Sequence, residues 1–347
     1  MKRITYISKL TSPLSNKEIE QIGNISIQNN TQINITGTLM FFEKMFFQIL
    51  EGDDKNVERL YKKIGKDPRH CDILRLKTED DISERLFPNW YMKTINLDDD
   101  VDDLLRPTKI LLQSVLESHS IIEQYTQPSV LKIINKGFNP LKIKPVNVQK
   151  VILFADIISY TAISEKMTLE ETLLILNTYF EICSRIIFYK GGEVNKFMGD
   201  GLMAYFDIGQ ADNAIHACLE ILEELSSLRQ NSIDNSPLKL VNSVFGLAQG
   251  EVIEGNMGSQ FKTDYTIIGD AVNEAARLEK LTREVKRSLV LSESLKQSTK
   301  EPWSFVSLGK YSLKGKKNNI EVYSIDNNIV NNYEENSKQM INLINKR

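Results

Sequence analysis

Apolar positions change period several times along the chain, and each change marks an element. Residues 3–8 alternate, with Ile4 and Tyr6 on one side and Thr5 and Ile7 on the other, which predicts a short strand. Ser15 and Glu18 form a capping box ahead of Ile19, Ile22 and Ile25 at helical spacing, so a helix is expected through Ser26. Two apolar runs, 35–42 and 45–50, have only Glu43 and Lys44 between them and read as a hairpin. Val57, Leu60, Tyr61 and Ile64 predict a second helix, and residues 72–78 and 90–97 two more strands. The predicted order is βαββαββ.

No glycine occurs between Gly65 and Gly137, and five aspartates between Asp98 and Asp103 signal a helix start. Leu111, Val115, Ile122 and Tyr125 follow a four-three spacing broken by Ser118, with Pro107 and Pro128 bracketing the segment. That pattern suits a short coiled coil, or equally a helix lying on its own domain. A strand at 151–154 opens a second domain, and Thr168 with Glu171 caps a helix carrying Leu173, Leu176, Phe180, Cys183 and Ile187 that ends at Gly191-Gly192. Strands at 193–197 and 202–206 flank a Met198-Gly199-Asp200-Gly201 turn. A helix at 211–228, strands at 241–248 and 265–268, a helix at 271–281 and strands near Leu289 and Val322 complete the unit. The fold class is α+β, with two ferredoxin-like domains at 1–97 and 148–326, a helical coiled-coil linker at 98–147 and a polar, loosely packed tail at 327–347.

Composition narrows the function. The 347 residues exceed what one core of roughly 250 to 300 residues supports. A net charge of −3, from 43 basic and 46 acidic side chains, supplies no basic field for nucleic acid. Three widely spaced cysteines, Cys71, Cys183 and Cys218, form neither a disulfide framework nor a zinc site, which fits a reducing compartment. No run approaches ~18 apolar residues and no signal segment is legible, so a cytoplasmic protein without membrane contact is expected.

Neither standard glycine-rich phosphate loop occurs. Asp156 closes one strand and Asp200 sits at a hairpin tip. If those strands are neighbours, two carboxylates converge and suit two Mg²⁺ ions serving a phosphoryl displacement. Singly, each is better read as turn or cap chemistry. Five ordered phrases change that balance: Phe154-Ala-Asp-Ile-Ile-Ser, Gly192-Glu-Val-Asn-Lys-Phe-Met-Gly-Asp200, Gly250-Glu-Val-Ile-Glu-Gly-Asn-Met-Gly258, Thr266-Ile-Ile-Gly-Asp-Ala-Val-Asn-Glu-Ala-Ala-Arg277 and Leu313-Lys-Gly-Lys316. Together they resemble the class III nucleotide cyclase catalytic domain. The resemblance implies metal binding at Asp156, Ile157 and Asp200, and purine reading by Lys196 and Thr266 in the adenine-selecting form. It also implies that Asn273 positions ribose or triphosphate, Arg277 stabilises charge at the reacting phosphorus and Lys314 holds the terminal phosphates. Because that family completes its sites between chains, a homodimer acting on ATP is implied, with Mg²⁺ or Mn²⁺. Glu274 departs from the small or aliphatic residue usual there.

In the first domain, Tyr6, Asn29-Asn30, the segment Phe46-Phe-Gln-Ile-Leu-Glu-Gly52 and the segment Phe87-Pro-Asn-Trp-Tyr-Met92 resemble the blue-light flavin-binding domain called BLUF. That resemblance implies FAD beside Tyr6 and Gln48, with Asn30 anchoring the ring edge, Asn29 and Arg69 as weaker contacts, and Trp90 or Met92 passing the change onward. The order of sensor, helix and cyclase is similar to bacterial photoactivated adenylyl cyclases. A flavin photoreceptor with a non-catalytic cyclase-like dimerisation domain, and a guanylyl cyclase, are the alternatives; Lys196 disfavours the second.

Overall fold

The side-chain pattern of the first 142 residues is resolved into one five-stranded sheet with helices on both faces. The computed structural model describes residues 1–12, 14–42, 44–96, 105–259, 261–312 and 319–346, which form two compact units, Met1–Lys142 and Ile143–Arg347. In chain order the first contains β1 (Lys2–Leu10), α1 (Asn16–Gln32), β2 (Thr36–Phe42), β3 (Met45–Gly52), α2 (Asp54–Ile64), β4 (His70–Glu79), β5 (Tyr91–Asn96), α3 (Leu105–Tyr125) and α4 (Pro128–Ile134). The strands lie in the order β4-β1-β3-β2-β5.

The Ser15–Glu18 capping box is present at the start of α1. The helix runs six residues beyond the expected Ser26, because the polar stretch of Asn29, Asn30 and Thr31 hides a turn whose carbonyls cap Ile33 and Asn34. Ile4, Tyr6, Phe46 and Leu50 pack under α1 and α2. Ile7 and Leu74 on the opposite face pack against Leu112 and Leu116 of α3. Gly37 is obligatory: its φ is +150°, and a Cβ there would lie 1.8 Å from the Ile49 carbonyl oxygen. This close approach lets β2 lie between β3 and β5.

The linker helix lies on its own domain. Pro107 falls in the first turn of α3, where a backbone N–H would have no intrahelical acceptor and its absence costs no helix hydrogen bond. Leu112 and Leu116 cover the unit's own sheet, while the anticipated seam residues Leu111, Ile122 and Tyr125 are exposed on the single chain. The aspartate-rich helix start largely falls at 97–104, outside the described residues.

The second unit comprises β6 (Val146–Ile157), α5 (Tyr160–Ser164), α6 (Leu169–Tyr189), β7 (Glu193–Met198), β8 (Gly201–Asp207), α7 (Ala211–Asn231), β9 (Ser243–Gly258), β10 (Thr263–Ile268), α8 (Asp270–Val285), β11 (Leu289–Ser292), α9 (Glu293–Ser298), β12 (Phe305–Tyr311), β13 (Ile320–Ile325), α10 (Asn328–Asn331) and α11 (Tyr333–Lys346). Its sheet runs β12-β13-β11-β9-β6-β8-β7, and β10 pairs back on β9. Helices α6 and α7 cover one face and α8 the other.

The expectation of a loosely packed tail is corrected. Val330, Tyr333, Met340 and Ile344 are buried in the main core, on α10 and α11. Abundant Asn, Glu and Lys on the outer face masked an apolar stripe at 340, 343 and 344. Helix α9 and strand β12 were not anticipated, being short and only half apolar. No helix among the described residues is long and apolar enough to cross a membrane.

Candidate functional site

Antiparallel pairing of β6 with β8 puts Ala155 opposite Leu202 and brings the β7–β8 tip against the end of β6. A Cβ on Gly201 would lie 2.8 Å from the Ala155 carbonyl oxygen and 3.1 Å from Asp156 Oδ1. Only glycine admits the tip this close. The result is a pair of neighbouring carboxyl groups, Asp156 and Asp200, close enough for the charge of one to act on the other. Burial, the charge of Asp200 and the charge of Glu279 push the Asp156 carboxyl up to about 7, against the opposing pull of Arg283.

Arg283 went unnoticed in the sequence. Its guanidinium donates to Asp156 Oδ2 and to Glu279 Oε1. The placement depends on Gly246 of β9, where a Cβ would lie 2.2 Å from the Glu279 backbone nitrogen and 2.3 Å from the Ala275 carbonyl oxygen. Helix α8 therefore rests directly on the strand that pairs with Asp156.

Hard divalent ions take oxygen donors, and Mg²⁺ is commonly held by one or two carboxylates together with substrate phosphates. Asp156 and Asp200 fit that need. Ile157 is apolar and buried, so its main-chain oxygen is all it can contribute. Among the described residues no group of three or more His, Cys, Asp or Glu side chains forms a self-sufficient metal cage. The pair therefore suits an ion that arrives with other ligands.

Lys196 and Thr266 are each held by a contact that crosses between β7 and β10. Lys196 Nζ donates to Asp264 Oδ2 at 3.0 Å, and Thr266 Oγ1 donates to Asn195 Oδ1 at 3.1 Å. Neither Asp264 nor Asn195 was singled out from the sequence. Asn273 and Arg277 lie four residues apart on α8, the first exposed and the second half-buried. Arg283 stands six residues further, about 240° round the helix, so Arg277 does not share the face that meets Asp156. Lys314 lies outside the described residues.

In the first unit, β1 and β3 pair with Tyr6 opposite Gln48. The Tyr6 hydroxyl donates to Gln48 Oε1, and Gln48 Nε2 donates to Met92 Sδ at 3.0 Å. The β2–β5 register shifts between Gly37 and Thr38, opposite Tyr91 and Lys93, which leaves Met92 unpaired with a φ of +117°. This bulge points Met92 at the amide. Met92 is 1% exposed, whereas Trp90 is 37% exposed, stacks on Phe87 with ring centroids 5.0 Å apart and lies under Lys93 Nζ at 4.7 Å. Burial pushes the Tyr6 phenol far above its usual range, with Tyr61 adding to it.

Asn30 is buried at the end of α1. Asn29 and Arg69 are exposed, and Arg69 is held by Asp67 at 2.6 Å. A phenol, two buried amides and apolar walls match the chemistry of a flavin's polar edge. Glu51, also missed, is fully buried: it accepts from Arg3 and, at 3.0 Å each, from the backbone N–H groups of Leu86 and Phe87. It pins the segment leading to Trp90 and Met92.

Comparison with known proteins gives a family for each of the two domains. Residues 1–93 match the model of the BLUF family, described as sensors of blue-light using FAD. Residues 144–327 match the adenylate and guanylate cyclase catalytic domain. A solved bacterial light-regulated adenylyl cyclase is 44% identical, with a TM-score of 0.87, over 99% of this chain and 100% of that one. The photoactivated adenylate cyclase subunit alpha of Euglena gracilis is 34% identical over 84% of this chain and 28% of its own length. The subunit beta of Euglena longa is 32% identical over 84% of this chain and 34% of its length. The chain thus spans about a third or less of those curated relatives.

Proposed function

Since the chain belongs to the adenylate and guanylate cyclase family and carries a BLUF domain ahead of its cyclase domain, we propose that it is a blue-light-activated adenylyl cyclase. It converts ATP to 3′,5′-cyclic AMP and pyrophosphate, as a homodimer. The observation that carries the reading is the approach of the β7–β8 tip to the end of β6, which sets the Asp156 and Asp200 carboxyls side by side.

Bound divalent ions, Mg²⁺ with Mn²⁺ as an alternative, supply charge neutralisation at the phosphates. Asp156, Asp200 and the Ile157 carbonyl would hold them. Lys196 donates to adenine N1 and Thr266 accepts from the exocyclic amine. Asn273 positions the ribose or triphosphate, Arg277 stabilises developing negative charge, and Lys314 binds the terminal phosphates. The different face taken by Arg277 on α8 supports a site completed by a second copy. The exposed Leu111, Ile122 and Tyr125 supply an apolar stripe suited to dimerisation.

Bound FAD supplies the blue-light absorption. Tyr6, Gln48 and Asn30 would line its polar edge, with Asn29 and Arg69 toward the periphery. A buried amide left without partners costs about 1–3 kcal/mol, so Gln48 keeps one of two complete bonding arrangements. If the Tyr6–Gln48 hydrogen bond gives way on illumination, the Gln48 amide would rotate and Nε2 would leave Met92 Sδ. Met92 then carries the change into β5.

The test is cyclic nucleotide formation by the purified full chain with ATP or GTP, in blue light and in darkness. Light-stimulated cyclic AMP that is lost in Asp200→Asn, with flavin absorption unchanged, is expected. Undiminished turnover by Asp200→Asn would overturn the assignment.

A further inference from the structure

We propose that Asn195 sets the base preference of the nucleotide site, by fixing the Thr266 hydroxyl as a hydrogen-bond acceptor. The inference rests on the reading above that Lys196 and Thr266 face the purine.

Two observations converge on Asn195. The β7–β8 register shifts between Val194, opposite Ala204, and Lys196, opposite Met203, so Asn195 is the extra residue of a β-bulge. A bulge frees a side chain from strict strand alternation and re-aims it. Asn195 is also 4% exposed, and its Oδ1 accepts from the hydroxyl of Thr266, itself 8% exposed. Water cannot readily replace either partner there.

A threonine hydroxyl has one proton and two lone pairs. With the proton committed to Asn195 Oδ1, only lone pairs remain for a ligand. The exocyclic amine of adenine donates and is accepted. The O6 of guanine also offers lone pairs, and faces another acceptor. A hydroxyl free to rotate would serve either base, so the discrimination lies in the partner of Thr266 as much as in Thr266.

Lys196 is anchored in a matching way. One of its three N–H donors goes to Asp264 Oδ2, leaving two for adenine N1. Asp264 and Thr266 stand two residues apart on β10, as Asn195 and Lys196 stand side by side on β7. The crossing contacts fix a donor and an acceptor in one arrangement.

The experiment compares kcat/KM for ATP and GTP in the full chain under constant blue light. Asn195→Ala is expected to lower the ATP:GTP ratio about tenfold. Asn195→Leu fills the same volume without an acceptor and should do likewise if the alanine variant unfolds. Asn195→Asp keeps an accepting oxygen and should hold the ratio within about twofold of the parent. Thr266→Val is the reference for the reading on which the inference rests. If Thr266→Val shifts the ratio while Asn195→Ala and Asn195→Leu leave it unchanged, the role given to Asn195 is overturned. If Thr266→Val also leaves it unchanged, the base is read elsewhere and both fall.

Discussion

Met92 accepts a hydrogen bond from the Gln48 side-chain amide at 3.0 Å, from an unpaired position of β5 with a φ of +117°. A methionine in that backbone region is strained, and strain is retained where surrounding contacts over-determine it. Glu51 supplies part of that constraint by holding the backbone of Leu86 and Phe87. The sulfur is therefore the partner that a reoriented amide must give up.

Met92→Leu preserves volume and removes the acceptor. The variant is expected to bind flavin and keep its light-induced absorption change, while the light-to-dark ratio of cyclic AMP formation falls several-fold. Trp90→Phe, altering an exposed ring stacked on Phe87, should preserve most of that ratio. The opposite ranking of the two variants would move signal transfer to Trp90.

Tyr6→Phe removes the hydroxyl that donates to Gln48 and changes little volume. Flavin should still bind. The small red shift on illumination and the light-induced rise in cyclic AMP should disappear together. A lost shift with a retained light response would separate the phenol from activation.

Asp156 makes a prediction about stability. Its folded carboxyl titrates at about 7, above the ordinary 3.8, chiefly through burial and Asp200. Between those values the folded chain binds more protons than the unfolded one, so this group's contribution to stability falls as pH rises from about 4 to 7. In metal-chelating buffer at pH 7.5, Asp156→Asn is expected to raise the melting temperature, and the gain should vanish near pH 4. A melting temperature lowered equally at both pH values would show that the bond to Arg283 outweighs the buried charge.

Mixed dimers test the shared site. An Asp156→Asn chain and an Arg277→Ala chain, each inactive alone, should regain part of the activity after subunit exchange, because one of the two sites keeps all its groups. No recovery despite demonstrated exchange would mean that each chain completes its own site.

Local chemistry was enough to determine much of this protein from sequence. The Ser15–Glu18 and Thr168–Glu171 capping boxes, the alternation in β1 and the Gly-Asp-Gly turn each depend on neighbours within a few residues. The spaced phrases likewise brought Asp156, Asp200, Lys196, Thr266, Tyr6 and Gln48 forward as candidates. Tertiary structure decided their company. Arg283 meets Asp156 across 127 residues, Asn195 meets Thr266 across 71, and Gln48 meets Met92 across 44. Such contacts depend on sheet register, on bulges at Asn195 and Met92, and on the approach of α8 over Gly246. A bulge reverses which way a side chain points without changing composition or period. The apolar stripe of α11 was hidden for a related reason: its burial depends on a core built from residues far earlier in the chain.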